Sequence, residues 1–153
     1  MENNEDAAEF LKSLEDKWQG HITWKTFSTW YACTDGTIRD YGIFMVKINN
    51  TFFFQDFERE NAIFGMKLTT KKKKTKFVLM ERSFHKDDVM DVYQITQTNA
   101  RAIVEKGKSV DSVKKANKVD KLFKKIVTLV RLKNDTALFF EFLDYKQFLN
   151  ELK

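Results

Sequence analysis

The pattern of apolar and polar positions is clearest in the last part of the chain, from residue 125 to 153. Two apolar, β-branched runs flank Asn134-Asp135, a pair that tolerates the left-handed backbone of a two-residue turn. This pattern predicts a β-hairpin. Asp144 can then cap a helix, and Leu143 can form a hydrophobic staple with Phe148. The predicted helix has one apolar face, formed by Tyr145, Phe148, Leu149 and Leu152.

The first part of the chain predicts one helix and then a β-meander. Apolar residues recur at helical spacing between residues 6 and 18, and Gly20 is a suitable stop. From residue 21 onward the chain is rich in β-branched and aromatic residues, with turn signals at Asp35-Gly36 and Asn49-Asn50. Further strands are predicted in the segments IFGMKLTT, TKFVLMERSF and DVMDVYQIT. About six strands therefore precede residue 97.

A Lys-rich segment separates these strands from the final hairpin. Four apolar residues, Val110, Val113, Leu122 and Phe123, suit a helix from about residue 109 to 124, capped by Ser109 and interrupted near Gly107. On such a helix, four lysines at i, i+4, i+7 and i+11 would form one cationic ridge; they are Lys114, Lys118, Lys121 and Lys125. The alternative is a solvated helix face.

The composition indicates a globular protein. The chain has 153 residues, of which 42% are hydrophobic and 14% aromatic, which suits one domain with a sizeable core. The longest apolar runs are far shorter than the roughly 20 residues of a membrane span, and the acidic start does not resemble a signal peptide. We therefore expect a cytoplasmic protein. Cys33 is the only cysteine, so an internal disulfide is excluded.

The net charge of +5 is unevenly distributed. Residues 1–68 contain 7 Lys and Arg against 11 Asp and Glu, whereas residues 69–153 contain 20 against 11. Besides the ridge, a second basic cluster lies at the tip of a predicted hairpin, at Lys71, Lys72, Lys73 and Lys74. These eight lysines are the candidates for binding an anion, and the alternative for the tip is a solubilising turn.

Catalytic and metal-binding patterns are absent from the sequence. His21 and His85 are the only imidazoles and are far apart, with no set of ligands spaced for zinc. The aspartates at positions 87, 88 and 91 lack the spacing of a calcium loop. We therefore expect neither an enzyme nor a cofactor.

The order of elements resembles the pleckstrin-homology-like (PH-like) fold, including its bacterial PH-like and GRAM-type members. The resemblance is carried by residues 127–133, the Asn134-Asp135 turn, residues 137–143 and the helix over 145–152. It implies an α+β domain: an antiparallel β-barrel of about seven strands, capped by the C-terminal helix. The N-terminal helix (1–20) would pack on a single domain (21–153), which also carries the inserted Lys-rich helix. An α+β sheet of another topology is the alternative.

The resemblance also implies a non-enzymatic recognition module, because PH-like domains typically bind phosphoinositide headgroups, peptides or other proteins. Phosphoinositide binding in this family uses basic residues on the first two strands, where this chain has Arg39 flanked by Asp35 and Asp40. A protein or peptide partner is therefore the first expectation. The alternative is nucleic acid or an anionic membrane surface, bound through the basic helix and the hairpin tip.

Overall fold

Eight strands and four α-helices make up the part of the chain that the computed structural model describes, which is residues 2–40, 42–57 and 79–153. In chain order they are α1 (Glu2–Trp18), β1 (Trp24–Cys33), β2 (Ile38–Arg39), β3 (Gly42–Ile48), β4 (Thr51–Phe57), β5 (Glu81–His85), β6 (Val89–Thr96), α2 (Gln97–Lys106), α3 (Lys118–Phe123), β7 (Ile126–Leu132), β8 (Ala137–Phe142) and α4 (Tyr145–Glu151). Two 3-10 turns lie at Lys86–Asp88 and Val110–Ser112.

All strands belong to one antiparallel sheet with the order β5-β4-β3-β1-β8-β7-β6, and β2 pairs with β1. The first long strand therefore pairs with the last strand. The predicted barrel is wrong, because over the described residues the sheet is open at β5 and β6. These two edge strands are joined by the 3-10 turn, whose ends bond elsewhere: Lys86 N–H donates to the Asn50 carbonyl and Lys133 N–H to that of Asp88. The connection is therefore not a hairpin.

Both faces of the sheet are covered, which explains the nearly continuous apolar runs. The inner face carries a cluster of aromatic and aliphatic side chains: Tyr31, Cys33, Ile43, Met45, Phe52, Phe54, Phe84, Val130, Leu132, Leu138, Phe140 and Phe148. On the outer face, α1 covers one region through Leu14, which packs with Phe44 and Val46. α2 covers another through Ala100 and Ile103. Successive residues of one strand thus enter different apolar layers.

The predicted N-terminal helix and the predicted final hairpin are confirmed. α1 extends the predicted helix at its start and ends at Trp18 as expected. The β7–β8 hairpin forms where it was predicted, but the two-residue turn is wrong, because Leu132 N–H donates to the Thr136 carbonyl and leaves three residues, 133–135, in the loop. Asp135 has a left-handed φ of 65° in this loop. Asn49 and Asn50, at the predicted β3–β4 turn, also have positive φ. The predicted strand IFGMKLTT and the residues Lys71–Lys74 lie outside the described residues.

The C-terminal helix α4 is confirmed, but its staple is not. Gln147 N–H donates to the Asp144 carboxylate at 3.1 Å, so the predicted cap is present. Phe148 is fully buried in the inner cluster. Leu143, however, is 71% exposed and does not pack on Phe148 as a staple would.

The single helix predicted over residues 109–124 is wrong in its extent. α2 precedes it and ends at Gly107, whose left-handed φ of 68° stops the helix. Residues 113–117 are not helical, and Ala116 N–H instead donates to the Gln94 carbonyl of edge strand β6 at 2.8 Å. The next helix, α3, begins at Lys118, where Asn117 provides a new cap.

Candidate interaction surface

Helix α3 exposes large apolar side chains. Val119 is 61% exposed, Leu122 76% and Phe123 80%. Leu143, which follows β8, is also 71% exposed. The α3 surface, as we define it, comprises the three apolar residues of α3 and four exposed lysines: Val119, Leu122, Phe123, Lys118, Lys121, Lys124 and Lys125.

Local hydrogen bonds, rather than burial, hold α3 together. Asp120 N–H donates to Asn117 Oδ1 at 2.8 Å, and Asn117 N–H donates to Asp120 Oδ2 at 3.2 Å, which is a complete capping box. Lys124 Nζ lies 3.0 Å from Asp120 Oδ1. The pKa of Asp120 is lowered, mainly by the hydrogen bond from Lys124 and secondly by the hydrogen bond from the Asn117 backbone N–H. The cap thus favours a helix whose apolar side chains remain in water.

The segments on both sides of α3 are bonded to the rest of the domain. Before the helix, Val113 packs against the outer cluster under α2, and Asp111 forms an ion pair with Arg131 of β7 at 2.8 Å. After the helix, Gln97 N–H donates to the Lys125 carbonyl at 2.9 Å, immediately before β7 begins. α3 is therefore presented between two anchored points, so its exposure is not that of a frayed end.

The structure separates the lysines of the predicted ridge. Lys118 and Lys121 lie on α3, Lys125 follows its end, and Lys114 belongs to the non-helical segment. All four are exposed, but the continuous helical ridge is wrong because the helix is only six residues long. Whether these lysines or the Lys71–Lys74 cluster bind an anion stays a prediction.

The sequence pattern counted Leu122 and Phe123 among the apolar residues of one longer helix, predicted Leu143 to be a packed staple residue, and gave no role to Val119. One local signal pointed to a separate short helix. Asn117 stands three residues before Asp120, which is the spacing of a capping box, in the middle of the segment predicted as continuous helix. Exposure itself had no such signal, since periodicity shows only that a face is apolar.

A cleft of about 390 Å³ lies at the opposite end of the β7–β8 hairpin, between the β1–β2 turn, β5 and Asn134. Its cation is already paired: Arg82 Nη1 lies 3.0 Å from the Asp35 carboxylate and donates to the Tyr31 hydroxyl at 3.0 Å. Burial raises the pKa of that hydroxyl. Arg82, which lines the cleft, is thus bonded to other residues of the chain.

Arg39, which lies on the two-residue strand β2, binds the fully buried carboxylate of Asp56 through Nε at 2.7 Å. The two histidines also have local structural partners. His21 Nδ1 lies 2.8 Å from Glu15 Oε2, and His85 Nδ1 accepts from Asp87 N–H at 3.0 Å. Within the described residues, no group of three or more His, Cys, Asp or Glu side chains is arranged to hold a metal ion.

Comparisons of the chain with protein-family models, with curated proteins and with solved structures gave no match. Among the helices of the described residues, none combines the length and the apolar character needed to span a membrane.

Proposed function

We propose that the chain is a non-enzymatic recognition module of PH-like architecture that binds a protein or peptide partner at the α3 surface. One observation carries the proposal. A helix anchored on both sides leaves Leu122 and Phe123 about four-fifths exposed. Exposed apolar patches on a soluble domain commonly mark interaction sites.

The strand pairing supports the PH-like part of the proposal. A meander begins with β1 and ends at β5, and a second one begins at β6 and returns to pair β8 with β1. α4 follows β8 directly and inserts Phe148 into the inner cluster. This is the sequence of elements on which the resemblance rests, with α1 and the segment from α2 to α3 as additions.

The energetics of the α3 surface suit protein recognition. Complete burial of a side chain such as Val119, Leu122 or Phe123 contributes about 1.5–3 kcal/mol each. Part of this is offset by the lost freedom of two associating molecules. Aromatic side chains at the centre of an interface often dominate its binding energy, and Phe123, with its exposed ring, is placed for that role.

The competing function is binding of nucleic acid or an anionic surface. It is favoured by the exposure of Lys118, Lys121 and Lys125 beside α3. Such binding would be dominated by phosphate contacts and would weaken steeply with salt. The three exposed apolar side chains of α3 are not required for it, and this difference separates the two functions.

The test compares affinity capture from native cell extract by the unmodified protein and by the Leu122→Ser/Phe123→Ser variant. A protein partner should be retained by the unmodified chain, survive nuclease treatment and be lost with the variant. Met90→Ser is the matched control, because Met90 is also exposed but lies on β6. Loss of the partner with nuclease, or equal retention by the double variant, would reject the proposed function.

A further inference from the structure

We infer that the partner presents an apolar groove bordered by carboxylates, which receives α3 as a short helical ligand. This inference rests on the proposed function and specifies the chemistry of its partner. It is drawn from the arrangement of the apolar side chains on α3 and from the charge around them.

The apolar residues of α3 are spaced for insertion into a groove. Val119, Leu122 and Phe123 stand at i, i+3 and i+4, so they form one stripe along the helix. Helices that bind in grooves insert anchor side chains at these spacings into the groove. The stripe is convex and exposed, so its complement on the partner is concave and apolar.

The charge around the stripe specifies the border of the groove. Residues 106–125 contain eight lysines and two aspartates. Both carboxylates have internal partners, Asp111 with Arg131 and Asp120 with Lys124. Lys118 and Lys121 remain exposed on the same helix as the stripe. A border of Asp or Glu would pair with them, speed the encounter and disfavour basic partners.

A second copy of this chain is a poor fit for the stripe. Two α3 surfaces facing each other would bring their lysines together. The acidic helix α1 has complementary charge, but its large apolar side chains, Phe10, Leu11, Leu14 and Trp18, pack with the outer-face cluster beneath it. It therefore presents no apolar groove along its described residues.

Two other occupants are also disfavoured. The segment 58–78 contains seven Lys and Arg against two Glu, so its charge has the same sign as that of the α3 surface. An interfacial membrane helix uses a long apolar face. α3 is six residues long, and its flanks are bonded to β6 at Ala116 and to the start of α2 at Lys125, which limits its apolar face to one stripe.

The partner is identified by replacing Phe123 with the photo-crosslinker p-benzoylphenylalanine in the full chain, in native cells. The expected product is a cross-linked protein whose attached peptide, sequenced by mass spectrometry, lies in an apolar groove with neighbouring Asp or Glu. The same replacement at Met90 is the control and should not yield this product.

The purified partner then tests the charge. Lys121→Glu should weaken its binding about tenfold or more, and the affinity of the unmodified chain should fall with added NaCl. Lys133→Glu is the matched control, because this exposed lysine follows the far end of β7, about 20 Å from α3. It should leave the affinity nearly unchanged. Reversing the acidic border residue of the partner to Lys should restore binding of Lys121→Glu.

The outcomes distinguish this inference from the proposed function. A cross-linked partner whose affinity ignores both Lys121→Glu and salt would overturn the carboxylate-bordered groove and leave protein recognition intact. Cross-links only to a second copy would overturn the groove and assign α3 to self-association. A Phe123 position that cross-links to no protein would overturn both, as would binding to vesicles of phosphatidylcholine and phosphatidylglycerol that Lys121→Glu abolishes.

Discussion

Replacing Phe148 with Ala should strongly destabilise the protein, because this residue holds α4 against the sheet. Its side chain is fully buried, and its ring centroid lies 4.4 Å from that of Phe142, 5.5 Å from that of Phe52 and 6.0 Å from that of Trp24. Truncating a buried Phe typically costs about 3–5 kcal/mol, through lost burial and the cavity left behind. The loss of several ring contacts places this site in the upper part of that range.

Phe123→Ala is the matched control, since it removes the same side chain from a ring that is 80% exposed. Its free energy of unfolding should change by less than about 0.5 kcal/mol. The better helix propensity of Ala would, if anything, favour α3.

Urea unfolding followed by circular dichroism gives both free energies, and the melting temperature provides a second readout. For a chain of this size, a loss of 3–5 kcal/mol corresponds to a decrease of roughly 6–20 °C. A Phe148→Ala variant within about 1 kcal/mol of the unmodified protein would show that α4 does not complete the inner core. An equal loss in Phe123→Ala would contradict the assignment of α3 to the surface.

Two further changes and one titration test the fold and the cap of α3. Deleting residues 144–153 should leave an unfolded or aggregated chain, and a cooperative thermal melt near that of the full chain would argue against this. Asp56→Ala should lower the unfolding free energy by about 3 kcal/mol in urea, because it removes the buried carboxylate that binds Arg39; a loss below about 1 kcal/mol would contradict that role. The hydrogen bond from Lys124 lowers the pKa of Asp120, so titration of Asp120 followed by NMR should give a pKa below the usual Asp value. Its contribution to α3 is then present above the unfolded-state pKa and is lost as the pH falls through the folded-state pKa; an ordinary pKa would refute the cap.

Elements encoded by neighbouring residues could be predicted from the sequence. The position of the β7–β8 turn at Asn134-Asp135, the Asp144 cap and the helix ending at Trp18 depend on hydrogen bonds and backbone preferences within a few residues. The apolar stripe of α4 also predicted correctly that Phe148 is buried. These features need no knowledge of what lies across the fold.

Tertiary structure decided where the Lys-rich segment is helical and which of its apolar residues are exposed to solvent. The bond from Ala116 to Gln94 of the β6 edge competes with a continuous helix, and the sequence alone does not show which carbonyl that N–H will find. The apolar pattern placed Leu122 and Phe123 on one helix. Burying these two side chains, however, requires another element that packs against that helix. α4 covers the inner face of the sheet, and α1 and α2 cover its outer face. The stripe on α3 therefore remains exposed.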